Sequence, residues 1–211
     1  NNRFNYALFS AGGNISKEFA PIAKNNNCIV IDNSSYFRMD KEVPLVVPEV
    51  NFKDIFKHNG IIANPNCSTI QAVLPLKVLH DKYIIKRIVY STYQAVSGAG
   101  IKGINDLEIE ENHNSPQKFP YPIFNNCLPH IDLFMENGYT KEEMKMIEET
   151  KKILNDDNLK ITATTVRVPV KNCHSESINI EFEKEFNIDE LKQDLNKQRG
   201  LTVLDDITKN I

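Results

Sequence analysis

A surplus of positive charge is missing from this chain: Lys and Arg number 25 against 28 Asp and Glu, a formal net charge of −3. A nucleic-acid backbone demands a basic stripe, so a nucleic-acid partner is disfavoured. No C-x-x-C pair occurs among the four cysteines, Cys28, Cys67, Cys127 and Cys173. That argues against zinc and thioredoxin-like sites, so we expect no metal centre and reduced thiols in a cytoplasmic setting. Nor does any apolar run approach the ~20 residues that cross a bilayer, and no secretory leader opens the sequence as given, so a soluble protein without a membrane partner is expected. No internal repeat is visible. What is present, 41% apolar and 25% charged composition over 211 residues, suffices for a sizeable core in one large domain or two modest ones.

The chain starts with an apolar strand at Tyr6 to Phe9 that ends in a small-residue turn, Ser10-Ala11-Gly12-Gly13. ISKEFAPIAKNN then reads as a helix with Phe19, Ile22 and Ala23 on one face, and CIVID as a second short strand leading into NSSYFRMD. Strand, helix, strand predicts a right-handed βαβ unit, whose carboxyl-end loops are where α/β sheets hold ligands. PLVVPEVN reads as a short strand and IIANPNC as another. From Ser68 to about Leu79 the pattern is helical, with Pro75 inside it predicting a kink. The texture then changes. KRIVYSTYQAV, ITATTVRVPV and SINIEFEKEF alternate apolar and polar residues, as strands of an antiparallel or mixed sheet with one solvated face do. Between them YTKEEMKMIEETKKIL predicts a helix with a Thr140–Glu143 capping box and Met144, Ile147 and Leu154 among its apolar positions. EIEENHNSPQK reads as a polar surface connection. The chain is therefore α/β in two parts, with a boundary near Cys67.

ANPNCSTIQ places Cys67 between an Asn-Pro turn and the first turn of a helix. A lone cysteine is more often buried structure than chemistry. A helix start changes that balance: unsatisfied N–H groups and the positive end of the macrodipole favour thiolate and lower the thiol pKa from its free value of about 8.5. A nucleophile also wants an acid/base partner. Of the five histidines, His174 alone lies in a loop joining two predicted strands, among small polar residues. His58 and His80 read as helix or helix-end surface positions, His113 sits in the polar loop, and His130 follows a proline.

ANPNCST, YQAVSGAG, the helical EETKK segment and RVPV-x-x-x-HSES, in that order, closely resemble the aspartate-semialdehyde dehydrogenases, and SAGG, IDNSSYFRMD and PLVVPEVN extend the likeness towards the start. The resemblance implies a partial Rossmann-like NADP-binding domain over residues 1–66. After it, over residues 67–211, comes an α+β catalytic and dimerisation domain with a mixed, largely antiparallel sheet, like the C-terminal domain of glyceraldehyde-3-phosphate dehydrogenase. It implies NADPH-dependent reductive dephosphorylation of L-aspartyl 4-phosphate, with a homodimer or dimer of dimers. A thiolate attacking an acyl phosphate expels phosphate and leaves a thioester, which accepts hydride where a carboxylate does not. By the resemblance Cys67 is that thiolate, His174 the general acid/base, and Gln94 the group that orients the acyl-enzyme. Arg167 forks onto the substrate α-carboxylate, a planar bidentate task, and Glu149 meets the substrate amino group. By the same resemblance Lys152 is a phosphate ligand, with Arg38 and Asn66 the other phosphate candidates. On residue physics alone Glu149 and Lys152 read as an ordinary solvated i, i+3 pair, Arg38 as a surface arginine and Asn66 as a helix cap.

The family likeness also assigns Ser97 and Gly98 to the nicotinamide end of the cofactor and Ser10, Ala11, Gly12 and Gly13 to a backbone-lined cofactor turn. Gly98, Gly100 and Gly103 satisfy G-x-G-x-x-G. A dinucleotide fingerprint should be followed by a second strand ending in an acid about 20 residues on, whereas a polar stretch with Asn112, Asn114 and Pro116 follows here, so the match is read as accidental. Relative to the family pattern, a glycine-rich strand-turn-helix at the start and the closing strand and helix at the end are missing, which leads us to expect weakened NADP binding and unpaired sheet edges. Two rival readings remain: another thioester-forming enzyme such as N-acetylglutamyl-phosphate reductase or a phosphorylating aldehyde dehydrogenase, and a non-catalytic oligomerisation module.

Overall fold

A computed structural model describes residues 4–110 and 116–210; part of the polar connection, including His113, lies outside them. The chain divides into two compact units. The first comprises Asn1–Lys86, Glu149–Asn158 and Glu181–Ile211, the second Arg87–Glu148 and Leu159–Ile180.

In the first unit β1 (Tyr6–Phe9), α1 (Gly13–Asn25), β2 (Ile29–Asp32) and β3 (Ile61–Ala63) follow the predicted order. The strands form a parallel sheet ordered β1-β2-β3, with Tyr6 opposite Ile29 and Val30 opposite Ile61. Ala20, Val30, Phe37, Leu45, Ile61, Ala63, Val73 and Ile153 are among its core residues. Of the three residues predicted to share a face of α1, Phe19 and Ile22 are exposed and Ala23 packs partly buried against the core, next to the fully buried Ser16 and Ala20. Small side chains at i and i+4 let the helix approach the sheet closely, and Ser16 Oγ donates to the buried Asp32 carboxylate at 2.7 Å. The same carboxylate accepts from Ser34 N at 2.9 Å and Ser34 Oγ at 2.8 Å, so one acid fixes both α1 and the loop after β2.

PLVVPEVN is not a strand along its length. Leu45 makes a single parallel bridge to Ala63, and Pro48 then opens the short helix α2 (Pro48–Asn51). Proline has no N–H for a ladder, and its fixed φ suits the first turn of a helix. Helix α3 runs Cys67–Tyr83 with Pro75 inside it. Near the chain's end α6 (Ile188–Lys197) begins at Asn187, whose side chain accepts from the N–H groups of Asp189 and Glu190.

The second unit is built on a sheet ordered β5-β4-β6, from β4 (Ile85–Gln94), β5 (Lys160–Arg167) and β6 (Ser175–Phe182). β4 and β5 pair in parallel through eight positions, from Arg87 opposite Lys160 to Gln94 opposite Arg167. Antiparallel pairing enters through the isolated bridges Leu128–Arg167 and Phe134–Thr140. The sheet is mixed as expected, and the β4–β5 ladder is its parallel part. Alternation reports that one face is solvated and carries no information about strand direction. The connection from β4 to β5 includes α4 (Ile101–Glu110) and α5 (Lys141–Leu154). The capping box at the start of α5 is formed: Thr140 N donates to Glu143 Oε2 at 2.8 Å, and Glu143 N to Thr140 Oγ1 at 3.3 Å. Buried Asp106 anchors the stretch after α4 by accepting from the backbone N–H groups of Gln117, Lys118 and Phe119 at 2.7 to 2.9 Å. Among the described residues no helix is long and apolar enough to cross a membrane.

Candidate active site

The sequence-predicted site residues fall in both units. Cys67, Asn66, Glu149, Arg38, Lys152 and the turn Ser10–Gly13 belong to the first; His174, Gln94, Arg167, Ser97 and Gly98 belong to the second.

Cys67 is the first residue of α3 and is exposed. Its neighbour Asn66 caps the helix, its Oδ1 accepting from Ser68 N at 2.9 Å and Thr69 N at 3.3 Å. The capping geometry holds the sulfur at the positive end of α3, where negative charge is favoured. The Asn66 backbone is held in turn by Glu149, 1% exposed, whose Oε2 accepts the Asn66 N–H at 2.6 Å. Oε1 of Glu149 pairs with Arg38 Nη1 at 3.2 Å, and Arg38 Nη2 donates to the Asn33 carbonyl at 3.0 Å. Lys152, one helical turn after Glu149, directs its ammonium at three backbone carbonyls: Arg38 and Asp40 at 2.7 Å and Val43 at 2.9 Å. Burial lowers the Lys152 pKa from its ordinary value, opposed by the charges of Asp40 and Glu149.

The turn after β1 is open. Ser10, Ala11 and Gly12 are exposed. Gly12, at φ +95°, caps α1 with no side-chain hydrogen bond, and a Cβ there would meet nothing within 4 Å. A helix start with no side-chain cap, reached over a glycine, suits a dinucleotide phosphate.

In the second unit the peptide at Ala95, just after β4, is gripped on both sides. Its N–H donates to His174 Nδ1 at 3.0 Å, and its carbonyl accepts from Arg167 Nη1 at 2.7 Å. Because Nδ1 is an acceptor, the neutral ring carries its proton on Nε2 and presents a donor from that nitrogen. Burial pushes the His174 pKa below its ordinary value, the Arg167 charge pushes it the same way, and Glu142 pulls it back. Gly98 lies close to this pair: a Cβ there would stand 2.9 Å from Arg167 Nη1 and 3.1 Å from His174 Cε1. A bare backbone is therefore required at that point. Gly103 serves packing, since its Cβ would come within 2.5 Å of the Val96 carbonyl oxygen. Among the described residues the next strand after the glycine pattern is β5, in keeping with the accidental reading of G-x-G-x-x-G.

Gln94, 1% exposed, donates through Nε2 to Thr92 Oγ1 at 3.3 Å and Glu142 Oε1 at 3.4 Å. Glu142 also accepts from Lys145 at 3.1 Å, and Lys145 reaches Asp132 at 2.8 Å. Sequence reasoning missed Glu142. An acid in the first turn of a helix looks like ordinary dipole complementation, and nothing in its spacing marks it as lying behind Gln94. Three of the four histidines set aside lie among the described residues and make structural contacts: His58 Nδ1 accepts from Gly60 N, His80 Nδ1 from Ile85 N, and His130 stacks on Phe134.

Residues 2–58 match the semialdehyde dehydrogenase NAD binding domain and residues 76–211 the semialdehyde dehydrogenase dimerisation domain. The chain belongs to the semialdehyde dehydrogenase family. It is 56% identical over 213 residues to the aspartate-semialdehyde dehydrogenase of Aquifex aeolicus, covering 97% of this chain and 63% of that protein. Among solved structures it resembles aspartate semialdehyde dehydrogenase II from Vibrio cholerae, complexed with ASA, at 46% identity and a TM-score of 0.89, covering 93% of this chain and 61% of that one. It also resembles the Candida albicans enzyme with NADP, at 27% identity and a TM-score of 0.72, covering 92% and 55%. The chain thus spans less than two thirds of the length of these relatives.

Proposed function

We propose that this protein converts L-aspartyl 4-phosphate to L-aspartate 4-semialdehyde with NADPH, through a thioester on Cys67, in the cytoplasm and as a homodimer. This step would supply lysine, methionine and threonine synthesis. The observation that carries the reading is the exposed thiol on the first residue of α3, capped by Asn66, in a chain of this family.

The sulfur attacks the acyl carbon: the C–S bond forms, the C–O bond to phosphorus breaks, and phosphate leaves with the electron pair. When bound, NADPH supplies the hydride that reduces the thioester. Collapse of the tetrahedral adduct returns the C–S pair to Cys67. His174 offers the proton on Nε2 as a hydrogen-bond donor to oxygen bearing developing charge, the donating half of the acid/base role that the family assigns it. Arg167 holds the substrate α-carboxylate, Glu149 the amino group, Gln94 the acyl-enzyme, and Asn66 and Arg38 the phosphoryl group. Ser10, Ala11, Gly12 and Gly13 would line the cofactor with their backbone, and Ser97 and Gly98 would meet its nicotinamide end. Residues 1–66 serve the cofactor in this scheme and residues 67–211 catalysis and dimerisation.

The test is a progress curve of NADPH consumption with L-aspartyl phosphate and, in parallel, N-acetylglutamyl phosphate, for the wild type and Cys67→Ser. Turnover of the aspartyl compound alone, lost by at least about 10³-fold in the variant, is expected. Preference for the acetylated substrate, or activity surviving in the variant, defeats the reading.

A further inference from the structure

We propose that Asn33 is a positioning residue that turns the hydroxyl proton of Ser10 outward, so that the turn after β1 offers the cofactor a side-chain hydrogen-bond donor besides its backbone. Ser10, Asn33 and Asn64 stand at the carboxyl ends of β1, β2 and β3, each one residue past the paired positions Phe9, Asp32 and Ala63. The backbone carries the ladder one step further: Asn33 N–H donates to the Phe9 carbonyl and Asn64 N–H to that of Asp32, both at 2.8 Å. The three side chains then form a row. Asn64 Nδ2 donates to Asn33 Oδ1 at 2.8 Å and to the Pro65 carbonyl at 3.4 Å, and Asn33 Nδ2 donates to Ser10 Oγ at 3.4 Å. A backbone carbonyl sets the direction of this row. It can only accept, so the Asn64 atom beside Pro65 is the amide nitrogen, the Asn33 atom meeting that nitrogen is the oxygen, and what Asn33 has left for Ser10 is a donor. A hydroxyl that accepts from Asn33 keeps its own proton for another acceptor. Ser10 and Asn33 are exposed, and the carboxyl ends of parallel strands are where α/β sheets take ligands. The group that fits is an oxygen acceptor on the cofactor. Every member of the row lies in the first unit. The inference rests on the reading of Ser10 to Gly13 as the cofactor turn.

The experiment titrates NADPH by its fluorescence into the wild type, Ser10→Ala, Asn33→Ala and the double variant. Ser10→Ala should raise the Kd by up to about tenfold and Asn33→Ala, which leaves the hydroxyl unoriented, by about threefold. The double variant should bind no more weakly than Ser10→Ala alone, because Asn33 then has no proton to direct. Melting temperatures without cofactor should stay at the wild-type value, since both positions are exposed. An unchanged Kd in Asn33→Ala overturns the proposal, and so does an Asn33→Ala loss of equal size in the wild-type and Ser10→Ala backgrounds. Asn33→Asp tests the direction of the row: a carboxylate still accepts from Asn64 but takes the Ser10 proton for itself, so it should weaken binding more in the wild-type background than in Ser10→Ala. Equal weakening reports charge alone and overturns the proposal too. Failure of the underlying reading looks different. It appears as a wild type that does not bind NADPH, with which the proposal falls, or as an unchanged Kd in Ala11→Asp, which places a carboxylate in the exposed turn.

Discussion

The two units hold their candidate catalytic groups by different means. In the first, Cys67 follows a helix cap, Asn66, whose backbone N–H is held by Glu149, itself paired with Arg38, residues far apart in the sequence. In the second, His174 and Arg167 hold the two backbone polar groups of one residue, Ala95, just after a strand. Removing one member of a charge relay leaves the next one buried and unmatched, whereas a backbone grip survives most side-chain changes outside it. The first unit should therefore be the more sensitive to single charge deletions.

The sharpest way to break that contrast is Glu149→Ala, which strands Arg38 and the Asn66 N–H. A loss of about 3 to 5 kcal/mol of stability is expected, measured by urea unfolding, and a loss near zero would remove the distinction. Asp106→Ala provides the comparison in the second unit. It frees three backbone N–H groups, but on an exposed connection that water can reach, and should cost less, about 2 kcal/mol. Thr140→Ala, which removes only the capping box of α5, should cost about 1 kcal/mol and leave the alkylation profile of Cys67 as it was.

The smallest effect concerns pH. The folded-state pKa of His174 lies below its ordinary value of 6.5, through burial and Arg167. The unfolded chain therefore takes up a proton more readily than the folded one. The associated stability is complete above about 6.5 and is lost as pH falls through the lower folded value. Unfolding measured between pH 7 and 5 should show a slope that flattens in His174→Gln. An Arg167→Met variant, followed by histidine NMR, should raise the His174 pKa. A fall would mean that the guanidinium charge does not reach the ring.

Much of this organisation was legible in the sequence because it is local. The βαβ start, the cap at Asn66, the Thr140–Glu143 box and the setting of Cys67 all depend on residues within a few positions of one another. What escaped depends on tertiary contacts. Periodicity put Phe19, Ile22 and Ala23 on one face of α1, yet of the three only Ala23 packs against the core, beside Ser16 and Ala20, because helix spacing cannot say which side meets the sheet. Pro48 read as the edge of a strand and turned out to open a helix. Glu149 and Lys152 looked like a solvated pair. Their partners lie more than eighty positions away, and no local signal announces them. The role of Glu142 beside Gln94 was hidden for the same reason.

Strand β1 sits at the edge of its sheet and turns Tyr6 and Leu8 outward, 66% and 80% exposed. Greasy side chains exposed on an outer strand invite other chains to stack on, so concentrated preparations of these 211 residues should cloud with time. A lysine in place of Leu8 should delay turbidity without touching the chemistry.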